Sequence, residues 1–255
     1  MAIIALKAWY LREYEPIREL EKRPHDLRLS KNSLLKSALR ADFLEDSEAV
    51  KQSDWFQRYL DGEAVEFYIE GSGGYAISNI DLISHEIYFT KQDVMAHLEP
   101  SIFFCYQTEY AESSELLREE LQSSLEKLNK RSRIPLTLKE SHRLTDGPVR
   151  LNSTLMRSIR KSLLFLADVT PITQISGSPA QLIPSPKVCT EVGYALQCKR
   201  IEQLLLTQME RSDLPGQFPF DLPSQNRLMF RDRAQLRKSL TGLLESQLQR
   251  FNVLS

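Results

Sequence analysis

Short apolar runs alternate with amphipathic helical segments through the second part of this chain, and this alternation constrains the fold more than any other feature. Apolar runs lie at residues 101–106 (SIFFCY), 163–168 and 201–207. Helices are expected at 113–130, 151–162, 187–199 and 232–250, with further strands at 134–138 and 227–230. Continuously apolar strands separated by helices are typical of a parallel sheet covered on both faces. We therefore predict an α/β domain over residues 101–255.

Residues 1–100 follow a different pattern. Spaced apolar residues favour three helices, at about 1–23, 31–45 and 47–60,. Strand-like runs follow from Val65 to Phe89, and the Gly71 to Gly74 run (GSGG) is predicted to be a hairpin turn, because no helix follows it,. The pattern predicts a small α+β module without a recognisable ligand motif. We expect it to be a sensor or assembly module whose trigger is a protein, a nucleotide or crowding.

Charge and composition exclude several classes of protein. Residues 1–100 hold 12 Lys and Arg against 18 Asp and Glu, and the remainder holds 21 against 16, which is too balanced for direct binding of nucleic acid,. No apolar run reaches the roughly 18 residues that span a bilayer, and the amino terminus does not resemble a signal peptide. We therefore expect a cytoplasmic protein with no membrane contact. The three cysteines have no metal-site spacing, so no metal is expected,.

Two acidic residues mark the candidate site. Asp168 ends an apolar strand, and ligands bind at the carboxyl ends of strands in open parallel sheets,. Glu191 lies on the following helix, for which Ser185 is the expected cap, about 60° around the axis from the inward-facing Val188,. That position is the margin of the buried face. The alternatives are a solvated or ion-paired Glu191 and an Asp168 that only caps loop amides.

Four blocks of sequence carry a family resemblance. They are LLFLADVT at 163–170, PSPKVCTEVGYAL at 184–196, FPFDL at 218–222 and the final amphipathic helix at about 232–250, and the opening SIFFCYQTEYAESSELLREEL at 101–121 adds a matching first strand and helix. In this order they resemble bacterial TIR-like domains, which are predicted nucleotide-binding domains, and the arrangement is similar to that of nucleoside deoxyribosyltransferases. The resemblance covers about residues 101–250. The chain departs from the family's Asn-Pro-Asn at residues 185–187, and the preceding loop is longer.

The resemblance implies a flavodoxin-like parallel sheet and cleavage of the nicotinamide-ribose bond of NAD, by hydrolysis or cyclisation. NAD is then a substrate, and no cofactor is required. Glu191 would be catalytic. The residues expected to bind the nucleotide are Tyr106, Gln107, Thr108, Asp168 and Arg143, the last at the diphosphate.

The family resemblance also implies activation by self-association, hence a homo-oligomer, and it suggests a role in antiphage defence. The departure at 185–187 keeps a second interpretation open, in which the chain is a non-catalytic nucleotide-binding or protein-interaction module that signals through contacts. A third interpretation is base exchange on a deoxynucleoside. The amino-terminal residues 1–100 resemble no family.

Overall fold

The computed structural model describes residues 5–34, 38–91, 97–141, 153–218 and 223–254, with only the backbone for 31–34 and 38. The chain forms two compact units, residues 1–98 and 99–255. Within the described residues, no helix is both long and apolar enough to cross a membrane.

The first unit is a closed antiparallel barrel. Its strands are β1 (Ala5–Tyr10), β2 (Leu27–Leu34), β3 (Ala38–Phe43), β4 (Glu66–Ile69), β5 (Gly73–Asp81) and β6 (Glu86–Lys91). Its helices are α1 (Ile17–Leu20), α2 (Ser47–Lys51) and α3 (Asp54–Leu60). The strands follow the order β1-β2-β3-β6-β5-β4, and β4 closes the barrel on β1. Closure leaves the sheet without a free edge.

Alternating side chains fill the barrel. Leu39, Ala41 and Phe43 of β3 are buried in one apolar cluster with Phe67 and Phe89. The intervening Arg40 is exposed and pairs with Glu86 on the neighbouring strand. Since successive side chains in a strand point to opposite faces, this two-residue period fixes which face of β3 is inside. The interior is therefore a packed aromatic and aliphatic core.

Two of the three helices predicted for this unit are wrong. The described residues 5–23 contain β1 and the four-residue α1, and the described part of 31–45 contains β3 and the end of β2. The third helix is confirmed as the pair α2 and α3. The predicted turn is confirmed between β4 and β5, where Gly71 has a φ of 68°, but β5 already begins at Gly73, whose φ is 111°,.

The second unit contains a five-stranded parallel sheet. Its strands are β7 (Glu99–Cys105), β8 (Thr137–Glu140), β9 (Ser162–Asp168), β12 (Leu204–Met209) and β13 (Arg227–Phe230), in the order β13-β12-β9-β7-β8. Its helices are α4 (Ala111–Asn129), α5 (Ser153–Lys161), α6 (Pro186–Cys198) and α7 (Arg233–Gln249). All neighbouring strand pairs are parallel, which confirms the predicted α/β class.

Helices cover the two faces of this sheet. Ala167 of β9 and Val169, directly after the strand, are buried in one cluster with Val188 and Val192 of α6. Asp168, between them in sequence, bonds instead to the first turn of α4. Because side chains alternate along a strand, α6 and the first turn of α4 lie on opposite faces of the sheet.

The long loop expected between Thr170 and Pro184 is partly wrong, because it contains a β-hairpin. Strands β10 (Pro171–Ile175) and β11 (Gln181–Pro184) pair antiparallel. A parallel bridge between Gln181 and Gln217 joins β11 to the segment that follows β12. The hairpin therefore links the chain after β9 to the chain after β12.

Candidate functional site

The carboxyl ends of β7 and β9 are neighbours, and the chain leaves them toward opposite faces. Cys105 of β7 is in register with Ala167 of β9. The chain continues from β7 into α4 and from β9, through the hairpin, into α6. Such a switch point opens a crevice at the edge of a parallel sheet. The loop at 106–110 and Asp168 both lie at this edge.

Asp168 is fully buried and already engaged by the protein. Its Oδ2 accepts hydrogen bonds from the Ser113 and Ser114 hydroxyls at 2.5 and 2.6 Å, and its Oδ1 accepts from the Thr170 amide at 3.0 Å. Burial raises the pKa of the Asp168 carboxyl, although these hydrogen bonds oppose the rise,. Asp168 therefore joins the end of β9 to the first turn of α4.

Glu191 is also fully buried, on the other face of the sheet from Asp168. Its Oε2 accepts a hydrogen bond of 2.6 Å from the Ser141 hydroxyl. Ser141 directly follows β8, and its backbone amide donates to the Phe104 carbonyl at 3.0 Å. This bond places Glu191 at the ends of β7 and β8. The burial of Glu191 excludes the interpretation in which its side chain is solvated. Asp168 and Glu191 have different hydrogen-bond partners and lie on opposite faces of the sheet.

The loop after β7 holds three predicted ligand residues in different environments. Gln107 is 2% exposed, and its side-chain amide donates to the Thr170 carbonyl at 2.9 Å. Its amide oxygen is buried with no hydrogen-bond partner among the described residues. Tyr106 is half-buried with the Arg118 guanidinium 4.7 Å from its ring centroid, and Thr108 is exposed. Gln107 is thus the member with a free buried acceptor.

Ser185 occupies the expected N-cap position of α6, but its side chain does not cap the helix. The hydroxyl donates instead to Glu109 Oε1 at 3.0 Å, and this bond joins the loop after β7 to the start of α6. Partial burial raises the pKa of the Glu109 carboxyl, but hydrogen bonds from its own amide, Ser185 and the Thr108 amide bring that pKa below its usual value. The predicted capping role of Ser185 is wrong.

Arg211 is a site residue that the sequence interpretation missed. Its guanidinium donates to the Pro171 carbonyl at 3.0 Å, lies 4.5 Å from the Tyr110 ring centroid and pairs with Asp213. These contacts join the segments that follow β7, β9 and β12. The available signal was an arginine two residues beyond a buried strand, at the edge where ligands bind. Ser113, Ser114 and Ser141 carried no comparable signal, because serine is common in loops and helix starts.

Some predicted features lie outside the described residues. These are Arg143 and residues 219–222 of the FPFDL block; Phe218 is described, with the Arg227 guanidinium 4.1 Å from its ring centroid. Among the residues that the structure describes, no group of three or more His, Cys, Asp or Glu could hold a metal ion.

Comparison of the sequence with known family models gave no match, and comparison with curated proteins gave none either.

Proposed function

We propose that residues 99–255 form a flavodoxin-like, TIR-like domain that hydrolyses or cyclises NAD at the nicotinamide-ribose bond. Numbered along the chain from β7, the five parallel strands have the spatial order 2-1-3-4-5. That is the order of flavodoxin-like sheets, whose ligands bind at the switch point between the first and third strands. This order supports the fold assignment and the location of the site.

The observation that carries the catalytic proposal is the position of Glu191. A glutamate side chain that is fully buried lies at the ends of β7 and β8, held there by Ser141. Nicotinamide leaves NAD as a neutral base from a cationic pyridinium, so departure needs no general acid. The ribose becomes an oxocarbenium-like cation, which a nearby carboxylate stabilises most strongly where water is excluded. Glu191 is the proposed stabilising group.

Glu191 must become accessible for this chemistry. Its side chain is 0% exposed, so the Ser141 hydroxyl has to move away from the carboxylate when NAD enters. Self-association is the proposed event that favours this movement, with residues 1–98 as the sensor or assembly module. A role in antiphage defence and location in the cytoplasm remain part of the proposal.

The other residues of the edge have supporting roles in the proposal. Gln107 offers its buried amide oxygen to a donor on the nucleotide, either a ribose hydroxyl or the carboxamide,. Tyr106 and Thr108 line the entrance. Asp168 is a positioning residue, because its oxygens hold Ser113, Ser114 and Thr170. Arg143 is proposed to meet the diphosphate.

The test is product formation from NAD. Purified full-length protein is incubated with NAD over a range of protein concentrations, and nicotinamide, ADP-ribose and cyclic ADP-ribose are separated by chromatography. Release of nicotinamide that rises more than linearly with protein concentration is expected, because self-association completes the site. ADP-ribose as the second product indicates hydrolysis, and the cyclic product indicates cyclisation. The assay is repeated with candidate protein and nucleotide activators, and unchanged NAD at every concentration both with and without them contradicts the proposal.

The burial of Glu191 also favours a second candidate function, a non-catalytic nucleotide-binding module. A carboxylate that is fully buried and bonded to Ser141 can be purely structural,. This candidate predicts that NAD binds, as measured by calorimetry, and is recovered unchanged. Turnover that depends on Glu191 eliminates it.

A further inference from the structure

The hairpin formed by β10 and β11 carries a strand edge that the described chain does not cover. The side chains of Thr173, Gln174 and Ile175 are all exposed, and Ile175 retains 58% of its surface. Consecutive residues of a strand point to opposite faces, so both faces of the hairpin are open here. Among the residues that the structure describes, contact with this edge is made at the start of β10, where Arg211 donates to the Pro171 carbonyl.

The hydrogen bonds of β11 show which backbone groups of β10 are free. The Leu182 amide donates to the Gln217 carbonyl, and the Gln217 amide donates to the Ala180 carbonyl. The Leu182 amide of β11 and the Ala180 carbonyl just before β11 therefore point away from β10. Gln174 lies opposite Leu182 in the antiparallel register. Gln174 and Leu182 are therefore a non-hydrogen-bonded pair, in which the backbone groups of each residue point away from the other strand,. The N–H and C=O of Gln174 thus point to the uncovered edge.

The edge also lacks the charges that usually protect exposed strands. Residues 169–186 contain no Asp, Glu, Lys or Arg, although 26% of the whole chain is charged. Natural proteins discourage pairing at such edges with charged side chains, with proline or with a covering segment. Here an uncharged strand presents an unpaired donor and acceptor, and two copies can approach without repulsion between like charges.

We propose that β10 pairs antiparallel with β10 of a second copy of this chain. Gln174 would face Gln174 of the second copy across a two-fold axis, and the two residues would exchange both backbone hydrogen bonds. A two-fold contact of this kind is self-complementary, since each copy supplies the same donor and acceptor. The resulting dimer joins the two hairpins into one continuous sheet.

This proposal does not rest on NAD cleavage, because association is measured without substrate. The experiment is sedimentation equilibrium of the full chain up to about 100 μM protein. Wild type is expected to dimerise. Gln174→Lys and Gln174→Glu, which place like charges opposite each other, are each expected to weaken dimerisation by about fivefold or more. An equimolar mixture of the two variants is expected to recover wild-type association, because Lys then faces Glu.

Two further variants make the test specific. Gln174→Pro removes the outward N–H and costs no bond within the hairpin, so the dimer is expected to be lost. Gln181→Lys and Gln181→Glu place the same charges at an exposed position on β11, the strand of the hairpin that does not form the proposed contact. These two control variants are expected to dimerise as wild type does. The proposal is overturned by a wild type that stays monomeric, by Gln174 variants that associate normally, by failure of the mixture to recover, or by Gln181 variants that weaken equally.

Discussion

The Ser141 hydroxyl donates a 2.6 Å hydrogen bond to Oε2 of Glu191, and both residues are buried. The bond joins the end of the edge strand β8 to the middle of α6. It occupies the carboxylate that the proposed chemistry requires. A stronger Ser141–Glu191 hydrogen bond therefore stabilises the fold and makes it harder for Glu191 to become accessible.

Replacing Ser141 by Ala is expected to lower the free energy of unfolding by about 1–3 kcal/mol, because a buried carboxylate loses a charge-assisted hydrogen bond. Urea denaturation at pH 7 measures the loss. Ser246→Ala, at an exposed position on α7, is the matched control and should change stability little. Equal stability of the two variants would show that the Ser141 bond contributes nothing.

Replacing Asp168 by Asn is expected to change stability in a pH-dependent way. Burial raises the pKa of the Asp168 carboxyl in the folded chain above its ordinary value of 3.8. The folded state then binds the proton more tightly than the unfolded state, so this contribution to stability is fully present below pH 3.8 and is lost as pH rises through the folded pKa,. The stability of wild type relative to Asp168→Asn should therefore fall as pH rises above 3.8,. Urea titrations at several pH values check this, and an advantage that grows with pH contradicts it.

Lys199 should produce a pH dependence at the alkaline end. Its ammonium donates to the Arg160 carbonyl at 3.1 Å and also to the Ser162 carbonyl, at the end of α5. Burial lowers the pKa of Lys199 from 10.5 to about 8. Between these two values the unfolded state binds more protons, so wild type should gain stability relative to Lys199→Met as pH rises, by at most about 1.4 kcal/mol per pH unit.

The measurement is the unfolding free energy at pH 7.5, 9 and 10 for wild type, Lys199→Met and the exposed-site control Lys238→Met. The assignment is refuted if the unfolding free energy of wild type minus that of Lys199→Met stays constant or decreases as pH rises.

Gly216 and Gly242 should respond oppositely to alanine. A Cβ at Gly216 would lie 2.7 Å from the Ala180 carbonyl oxygen and 3.1 Å from the Leu182 side chain, where the segment after β12 meets the hairpin. Gly216→Ala is expected to lower stability by about 1–3 kcal/mol. Gly242→Ala, in α7 with nothing within 4 Å, should raise stability by about 0.5–1 kcal/mol,. Thermal unfolding compares the two variants. If Gly216→Ala leaves stability unchanged, the hairpin moves to accommodate the added methyl group without cost, which contradicts the prediction.

The second unit was largely predictable because its apolar runs and helical periods are long and regular. Residues 227–230 were predicted as a strand and are β13, and the predicted helix at 187–199 differs from α6 by one residue at each end. Strand β8 begins at Thr137, three residues later than expected. Pro135, which cannot donate to a ladder, lies in the part of the prediction that is not strand.

The barrel was not predictable by the same method. Around β3, Leu34, Leu35, Ala38 and Leu39 have helical spacing, and this spacing concealed the two-residue alternation of Leu39, Ala41 and Phe43,. In β1 the outward Trp9 is also buried, packed with Leu20 and Tyr68, so both faces of the strand are apolar and no alternation is visible. Tertiary contacts decided both segments.

The candidate site was predictable only in part. Position on the helix identified Glu191 as facing inward, but its partner Ser141 comes from a different strand and gives no signal in the sequence. Likewise, nothing in the sequence near Asp168 indicated that the Ser113 and Ser114 hydroxyls would donate hydrogen bonds to its carboxylate. Pairings between residues about 50 positions apart depend on the topology of the sheet.

The most direct test of the central claim is the rate of nicotinamide release by Glu191→Gln. Glutamine keeps the shape and can still accept from Ser141, so the fold is retained, as thermal unfolding will verify. The control is Glu126→Gln, at an exposed position on α4. We predict release by wild type and by Glu126→Gln at the same rate, and a loss of about 100-fold or more in Glu191→Gln. Release by Glu191→Gln at the wild-type rate would contradict the assignment of Glu191 as the catalytic residue.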